Sequence, residues 1–224
     1  MTDPTQLTDR YTRALELARV LHGGEVRKGT AIPYLSHVMS VSALVLEHRG
    51  TEDQAVAALL HDTAEDHGGQ ARIDQIRADF GDTVADIVAA CSDSLVEDRT
   101  QKAPWWERKV TYLQHLAAAP PEVAVVSAAD KLHNARSILA DYRQCGDALW
   151  DRFNKDAERA GSLWYYTRLA EILTERLAGT PAAGLAAELS RTVDAITELA
   201  RDYDNDIDNE IADARKREAT VLER

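Results

Sequence analysis

The sequence predicts an all-α protein, and three observations favour this fold class. Apolar residues recur at helical spacing over long stretches, short Gly or Pro breaks separate these stretches, and aromatic residues make up only 6% of the chain. A chain of 224 residues can bury a substantial core and fits one domain, or one domain with an appendage. We therefore expect an all-helical architecture.

The first half of the chain contains a series of amphipathic helices. The predicted helices cover about residues 6–22, 36–49, 52–66, 73–80 and 84–91. Tyr11, Leu15 and Ala18 recur at helical spacing in the first of them, which Gly23 ends. In the third, EDQAVAALLHDTAED, Thr51 and Gln54 form a capping-box pattern at the start.

The second half contains longer helices. They are predicted over about residues 105–118, 122–144, 150–160 and 163–178, with Pro121 in a first-turn position. The segment GTPAAG then breaks the pattern, and about residues 185–224 form a charged helical tail with few apolar residues. We interpret this tail as a solvated helix and keep a partner-binding or oligomerisation helix as the alternative.

Composition and charge exclude several functional classes. No apolar run approaches the roughly 20 residues that a membrane span needs. The start, MTDPTQLTDRY, lacks the apolar core of a secretory signal. A formal charge of −12 disfavours binding to duplex nucleic acid, although local groups of Lys and Arg remain able to bind small phosphates. These features indicate a soluble cytoplasmic protein without a membrane or duplex partner.

The segment AALLHDTAED places metal-binding side chains directly after an apolar run. His61 and Asp62 are adjacent, and Glu65 and Asp66 follow them at i+4, one helical turn further on. Four such groups in a small volume would repel one another without a cation. A divalent metal resolves this repulsion.

Two further ligands are available on neighbouring buried faces. His37 lies at the head of the second helix, and Asp130 lies in the middle of the apolar stripe of the long helix. Each residue alone has an ordinary structural explanation, as a core histidine or as the partner of a buried Arg. Together, two imidazoles and two carboxylates suit Mn²⁺, Fe²⁺ or Zn²⁺, and composition does not choose among them.

The chain resembles the HD-domain metal-dependent phosphohydrolases, and within them the alarmone hydrolases of the stringent response, including their small stand-alone relatives. The matching segments are HGGEVRKGTAIPYLSH, AALLHDTAED, FGDTVADIV and ADKLHNARSI, in the same order and spacing. The resemblance implies an HD-domain helical bundle over residues 1–178, followed by a charged helical extension over 179–224.

The resemblance implies a role for each matching position. The metal ligands of the family correspond to His37, His61, Asp62 and Asp130, which are the same residues that the physical argument selects. The family residues that activate water and transfer protons correspond to Glu65 and Asp66. The implied substrate-binding residues are Arg27, Lys28, Lys131 and Asn134, of which the last two contact the nucleotide or support the last ligand. We take Mn²⁺ as the expected ion and keep other divalent transition metals open.

The sequence also departs from the family pattern. Val38 stands where Pro is usual, Glu25 where Gln is usual, and Lys131 where Arg is frequent. These departures leave the metal ligands intact and weaken the assignment of the substrate.

The implied activity is hydrolysis of the 3′-pyrophosphate of guanosine or adenosine alarmones, (p)ppGpp or (p)ppApp, with release of pyrophosphate. Two alternatives stay open. One is an HD-type nucleotide phosphatase that acts on NADPH or another nucleotide. The other is an antitoxin that neutralises a toxic alarmone synthetase, with that synthetase or a second copy of the chain as its partner.

Overall fold

The computed structural model describes residues 5–96, 99–153 and 155–223. Its α-helices are α1 Asp9–His22, α2 Leu35–Glu47, α3 Glu52–Leu60, α4 Thr63–Asp66, α5 Gly69–Phe80, α6 Asp82–Cys91, α7 Trp105–Ala118, α8 Pro121–Cys145, α9 Glu158–Arg176, α10 Ala183–Tyr203 and α11 Ile207–Leu222. Short 3₁₀ helices cover Arg99–Gln101 and Gly146–Arg152. No β-strand forms within the described ranges, and the all-α prediction is confirmed.

The long helix α8 lies at the centre of the bundle. It packs against α2, α3 and α6 on the N-terminal side of the fold, and against α9 and α10 on the other. Val126, Ala129 and Leu132 on α8 are fully buried. The arrangement places Asp130, in the same stretch of α8, inside the bundle rather than on its surface.

The prediction of one continuous third helix is wrong in one respect, because the structure interrupts this helix at His61 and Asp62. The capping box at Thr51 and Gln54 forms as predicted, but α3 ends at Leu60 and α4 begins at Thr63. The Thr63 hydroxyl donates to the carbonyl of Leu60 at 2.7 Å, and side-chain bonds of this kind compete with the helical backbone pattern. The histidine and aspartate therefore lie in a turn.

The predicted helix over 150–160 is also wrong, whereas the helix predicted over 163–178 is present and begins earlier, at Glu158. The structure has a 3₁₀ helix, Gly146–Arg152, and then one continuous helix, α9, that includes Gly161. A Cβ atom at Gly161 would lie 3.1 Å from the ring of Trp106. Glycine is present here because two helices pack closely, and it does not end a helix.

The C-terminal tail is not a solvated helix along its whole length. Leu185, Leu189, Val193 and Ile196 on α10 are buried, and α10 packs against α8 and α9. The solvated interpretation is therefore wrong for this face of α10. The domain boundary at residue 178 stays a prediction. In the part of the chain that the structure describes, no helix combines the length and apolarity needed to cross a membrane.

Candidate metal centre

Side chains from three parts of the fold converge at the centre of the bundle. His37 lies in the first turn of α2, and Asp130 lies midway along α8. His61 and Asp62 occupy the turn between α3 and α4. His37 and His61 are 1% and 2% exposed, and Asp130 is 5% exposed. The structure thus brings together all four residues that the sequence predicts as metal ligands.

The spacing of the donor atoms fits one ion. His61 Nε2 lies 3.0 Å from Asp62 Oδ2 and 3.5 Å from Asp130 Oδ1. His37 Nε2 lies 3.7 Å and 3.2 Å from the same two oxygens. Four donors bound tetrahedrally at about 2.0–2.2 Å would be separated by about 3.3–3.6 Å. His61 Nε2 is buried without a hydrogen-bond partner among the described residues, so this nitrogen is the atom of His61 that an ion at the centre would bind.

The electrostatics of the centre favour a cation. Burial opposes ionisation of Asp130, but the Lys131 ammonium and the neighbouring imidazoles hold its pKa well below the usual range. Burial also opposes protonation of His61, yet the adjacent carboxylate of Asp62 and that of Asp130 raise the pKa of His61 well above normal. Two ionised carboxylates therefore attract positive charge to this point, and a divalent ion supplies it.

Neighbouring groups orient the ligands. The Nδ1 atom of His61 bonds to the carbonyl oxygen of Ala58 at 2.8 Å, which leaves Nε2 as the ligand atom. His37 Nδ1 bonds to His133 Nδ1 at 2.8 Å, with the same consequence for His37. The Tyr34 hydroxyl donates to Asp62 Oδ2.

Glu65 and Asp66 belong to α4, immediately beyond the ligand turn. Glu65 Oε1 accepts a hydrogen bond from Lys102 Nζ at 3.1 Å. Burial and the nearby charge of Asp93 raise the pKa of Glu65 above its ordinary value. The charge of Asp66 acts on the phenol of Tyr34, which places Asp66 beside the same group that binds Asp62. A carboxyl group with a raised pKa beside a metal centre is suited to proton transfer.

Asp93 links Glu65 to a basic cluster. Its backbone N–H donates to Glu65 Oε2 at 3.4 Å, and its buried carboxylate binds Arg108 at 2.6 Å and Lys109 at 2.6 Å. Burial opposes ionisation of Asp93, but Lys109 and Arg108 hold its pKa below the usual range. The cluster therefore joins the loop after α6 to the start of α7.

A cavity of about 510 Å³ adjoins the metal centre. It is lined by Arg27, Lys28, Thr30, Ile32, Tyr34, Ser36, His133, Asn134, Ser137, Ile138, Ala140, Asp141, Leu149, Arg152, Phe153 and Tyr166. Basic and apolar groups thus share its wall, and Tyr34 and His133 contact both the cavity and the metal ligands. This combination can hold a ligand that has an anionic part and an apolar ring.

The predicted substrate-binding residues divide into two groups. Arg27, Lys28 and Asn134 line the cavity, and Arg27 Nη2 donates to Asn134 Oδ1 at 2.8 Å. Asn134 in turn donates to Asp130 Oδ1 at 2.6 Å. Lys131 is not among the lining residues, and its ammonium binds Asp130 Oδ2 at 2.6 Å. Of the two roles left open for Lys131, support of the last ligand is the one that its position favours.

Sequence reasoning missed Tyr34 and gave His133 no role in the site. Tyr34 lies three residues before His37, at a helical spacing that could have placed both side chains on one face of α2. His133 lies three residues after Asp130 and is the direct partner of His37. In each case the sequence offers one polar residue at helical spacing from a predicted metal ligand. Many residues at this spacing do not belong to any site.

A helical bundle with inward-facing His and Asp side chains around one point defines a metal-binding helical domain. The HD domain family profile matches residues 14–161, and the chain belongs to this family.

Relatives support the same assignment. A probable GTP pyrophosphokinase of Mycobacterium leprae is 31% identical over 128 residues, which cover 56% of this chain and 15% of that protein. A mouse protein, guanosine-3′,5′-bis(diphosphate) 3′-pyrophosphohydrolase MESH1, is 31% identical over 140 residues, which cover 61% of this chain and 72% of that protein. The chain thus spans a small part of the long bacterial relative and most of the short animal one.

A solved structure shows the same fold. It is described as a metazoan ortholog of SpoT that hydrolyzes ppGpp, and it superposes with a TM-score of 0.62 at 23% identity. The superposition covers 87% of this chain and 97% of the other. At this identity, the likeness concerns the fold of the bundle.

Proposed function

We propose that the chain hydrolyses the 3′-pyrophosphate of guanosine or adenosine nucleotides of the (p)ppGpp and (p)ppApp type. The products are pyrophosphate and the nucleoside 5′-phosphate. Relatives named for this reaction support the proposal, since the mouse protein is called a guanosine-3′,5′-bis(diphosphate) 3′-pyrophosphohydrolase.

One observation carries the proposal: the centre formed by His37, His61, Asp62 and Asp130 opens next to a cavity with cationic and apolar walls. Asn134 connects the two, because it bonds to Asp130 on one side and to Arg27 on the other. A nucleotide in the cavity would therefore have its phosphates beside the metal centre.

His37, His61, Asp62 and Asp130 are the residues that would hold the metal. When bound, a divalent ion supplies positive charge to the phosphoryl group and increases the acidity of a water molecule toward a pKa of about 7. Mn²⁺ stays the expected ion, and two imidazoles with two carboxylates form a donor set that accepts it, as it accepts other divalent transition metals.

Glu65 and Asp66 are the proposed proton-transfer residues. In the reaction, a water oxygen forms a bond to the phosphorus attached to the 3′-oxygen, and the bond from that phosphorus to the 3′-oxygen breaks. The water loses a proton, and the departing 3′-oxygen gains one. Burial and Asp93 raise the pKa of Glu65, which suits its carboxyl group to accept and return a proton, and Lys102 holds that group in place.

The cavity residues are the proposed substrate contacts. Arg27 and Lys28 supply positive charge, and the Arg27 guanidinium, which donates from Nη2 to Asn134, is a planar group with five N–H donors suited to phosphate. Phe153 and Tyr166 provide aromatic surface for a purine.

The test is a product analysis with the full chain reconstituted with Mn²⁺. Guanosine and adenosine 3′-pyrophosphates, NADPH and deoxynucleotides are incubated separately, and products are resolved by chromatography. We expect pyrophosphate from the 3′-pyrophosphates only, loss of this activity in Asp62→Asn, and full activity in the control Asp79→Asn, whose side chain is exposed on α5. Orthophosphate as the sole inorganic product would establish the phosphatase alternative instead.

We place this activity in the cytoplasm, where such nucleotides are formed. Self-association and a cognate synthetase partner stay predictions.

A further inference from the structure

A second group of possible metal ligands lies outside the centre described above. It consists of His22 at the end of α1, Glu25 in the following loop, and His67 directly after α4. One ligand atom from each residue lies within 4.8 Å of the other two. None of the three is a ligand of the first centre.

Glu25 joins the two imidazoles. Its Oε2 atom forms a hydrogen bond with His22 Nδ1 at 2.7 Å, whereas its Oε1 atom lies 3.1 Å from His67 Nε2 without the alignment of a hydrogen bond. The two rings meet edge to face with centroids 5.0 Å apart. Hydrogen bonding to His22 and the charge of His67 outweigh burial and lower the pKa of Glu25, so its carboxylate is ionised.

Two nitrogens in this group are buried without a hydrogen-bond partner among the described residues. They are His22 Nε2 and His67 Nε2, and His22 is only 1% exposed. An unsatisfied buried nitrogen costs about 1–3 kcal/mol, and most such atoms in proteins have a partner. The two imidazoles that flank the Glu25 carboxylate thus each have one buried nitrogen without a partner, and the three side chains have ligand atoms close enough to share one cation.

We propose that His22, Glu25 and His67 bind a second divalent transition-metal ion. Two imidazoles and one carboxylate form a donor set that zinc accepts with one position left for water. A simple hydrogen-bonded chain explains the contact from His22 to Glu25 but leaves both Nε2 atoms without partners. Metal binding at this position does not depend on the proposed hydrolysis.

The position of the site gives it a structural consequence. His67 directly follows Asp66, and the ring of His22 lies 4.9 Å from the ring of Tyr34, whose hydroxyl binds Asp62. An ion bound here would fix the end of α4 to the end of α1. It would thereby hold Asp66 and Tyr34 in place beside the first centre.

The stoichiometry of bound metal tests the proposal. The full chain is equilibrated with zinc, passed over a desalting column, and analysed by mass spectrometry for metal per chain. We expect about two ions in the wild type and about one in Glu25→Gln or His67→Asn. We expect about one in Asp62→Asn and none in the combined variant Glu25→Gln, Asp62→Asn.

The variants are chosen so that folding is retained. Gln preserves the shape of Glu25, and the side chain of His67 is 24% exposed, whereas the fully buried His22 is left unchanged. Glu122→Gln, on the exposed first turn of α8, is the control and should bind as much zinc as the wild type. Circular dichroism verifies that each variant is folded.

Cobalt provides a second measurement. In the Asp62→Asn background, cobalt absorption bands in the visible range are expected from the second site, and Glu25→Gln should abolish them. The proposal is overturned if the wild type retains about one ion and Glu25→Gln does not change that number, because the first centre then accounts for all bound metal. An inactive protein that still binds about two ions would refute the proposed hydrolysis alone.

Discussion

At the scale of single residues, Glu65 combines burial, a like-charged neighbour and a cationic partner. Its partners Asp93 and Lys102 lie 28 and 37 positions further along the chain. Burial and Asp93 raise the pKa of Glu65, whereas Lys109 and Lys102 lower it. The net effect is a pKa above the ordinary value for a glutamate, which is the direction that general acid–base chemistry requires of a carboxyl group.

Replacing Glu65 with Gln should remove proton transfer and keep the fold. We expect kcat for pyrophosphate release to fall by about 10²–10⁴-fold, with bound Mn²⁺ unchanged. Glu122→Gln on the exposed first turn of α8 provides the matched control and should retain full activity. A Glu65→Gln variant with wild-type kcat would assign the proton transfer to another group.

Replacing Lys102 with Gln should shift the pH profile in a defined direction. The Lys102 ammonium lowers the pKa of Glu65, so its removal makes the carboxylate harder to form and raises that pKa. The acidic limb of kcat/KM should therefore move to higher pH. Lys216→Gln, whose side chain is 79% exposed on α11, should leave the limb in place. A limb that stays fixed or moves to lower pH in Lys102→Gln would show that Glu65 does not control it.

The four proposed metal ligands could be selected from sequence because each is a polar residue on or beside an apolar face, and the structure brings their side chains together. His37 follows the stripe of α2, Asp130 interrupts that of α8, and His61 and Asp62 end the apolar run of α3. The contacts of Asp93 could not be predicted, because they depend on how the loop after α6 folds back onto α4 and α7. Local pattern shows which face is buried, and only the packed structure shows which distant groups meet.

At the scale of elements, the capping box fixes where α3 begins. The Thr51 hydroxyl accepts a hydrogen bond from the backbone N–H of Gln54, and the Gln54 side chain accepts one from the N–H of Thr51. Both interactions follow from the local sequence and were predicted. The end of the same helix was not, because the bonds of His61 and Thr63 to backbone carbonyls compete with an otherwise continuous helical pattern.

Removing the cap should destabilise the protein by a small, measurable amount. For Thr51→Ala we expect a loss of about 1 kcal/mol in the free energy of unfolding, because the backbone N–H of Gln54 at the helix start loses its side-chain acceptor. Thermal or urea unfolding measures it. Thr220→Ala, at an exposed position in α11, should change the same free energy by less than about 0.5 kcal/mol. Equal effects at both positions would mean that the cap does not stabilise α3.

At the scale of the whole molecule, helices from both ends of the chain enclose α8. Helices α2, α3 and α6 pack on it from the side of the metal centre, and α9 and α10 cover it from the other. The charged residues of the tail suggested a solvated helix, since they dominate its composition. Four of its apolar residues, however, lie on one face of α10, and that face is buried. The charged composition of the tail correctly indicated that the tail has a solvent-exposed face. It did not reveal the buried apolar face of α10.

The burial of α10 can be tested with two leucines in the same tail. Leu189 on α10 is fully buried, whereas Leu222 at the end of α11 is 48% exposed. Leu189→Ala should lower the free energy of unfolding by about 2–5 kcal/mol, because it removes buried methyl groups and leaves a cavity against α8 and α9. Leu222→Ala should change it by less than about 0.5 kcal/mol. Both values come from urea unfolding of the full chain with metal bound.

If Leu189→Ala costs no more than Leu222→Ala, α10 does not contribute to the core in solution, and the tail behaves as the separate extension that its composition suggested. A large difference would instead mean that α8, and Asp130 with it, is held in position partly by residues beyond the segment that matches the HD domain family.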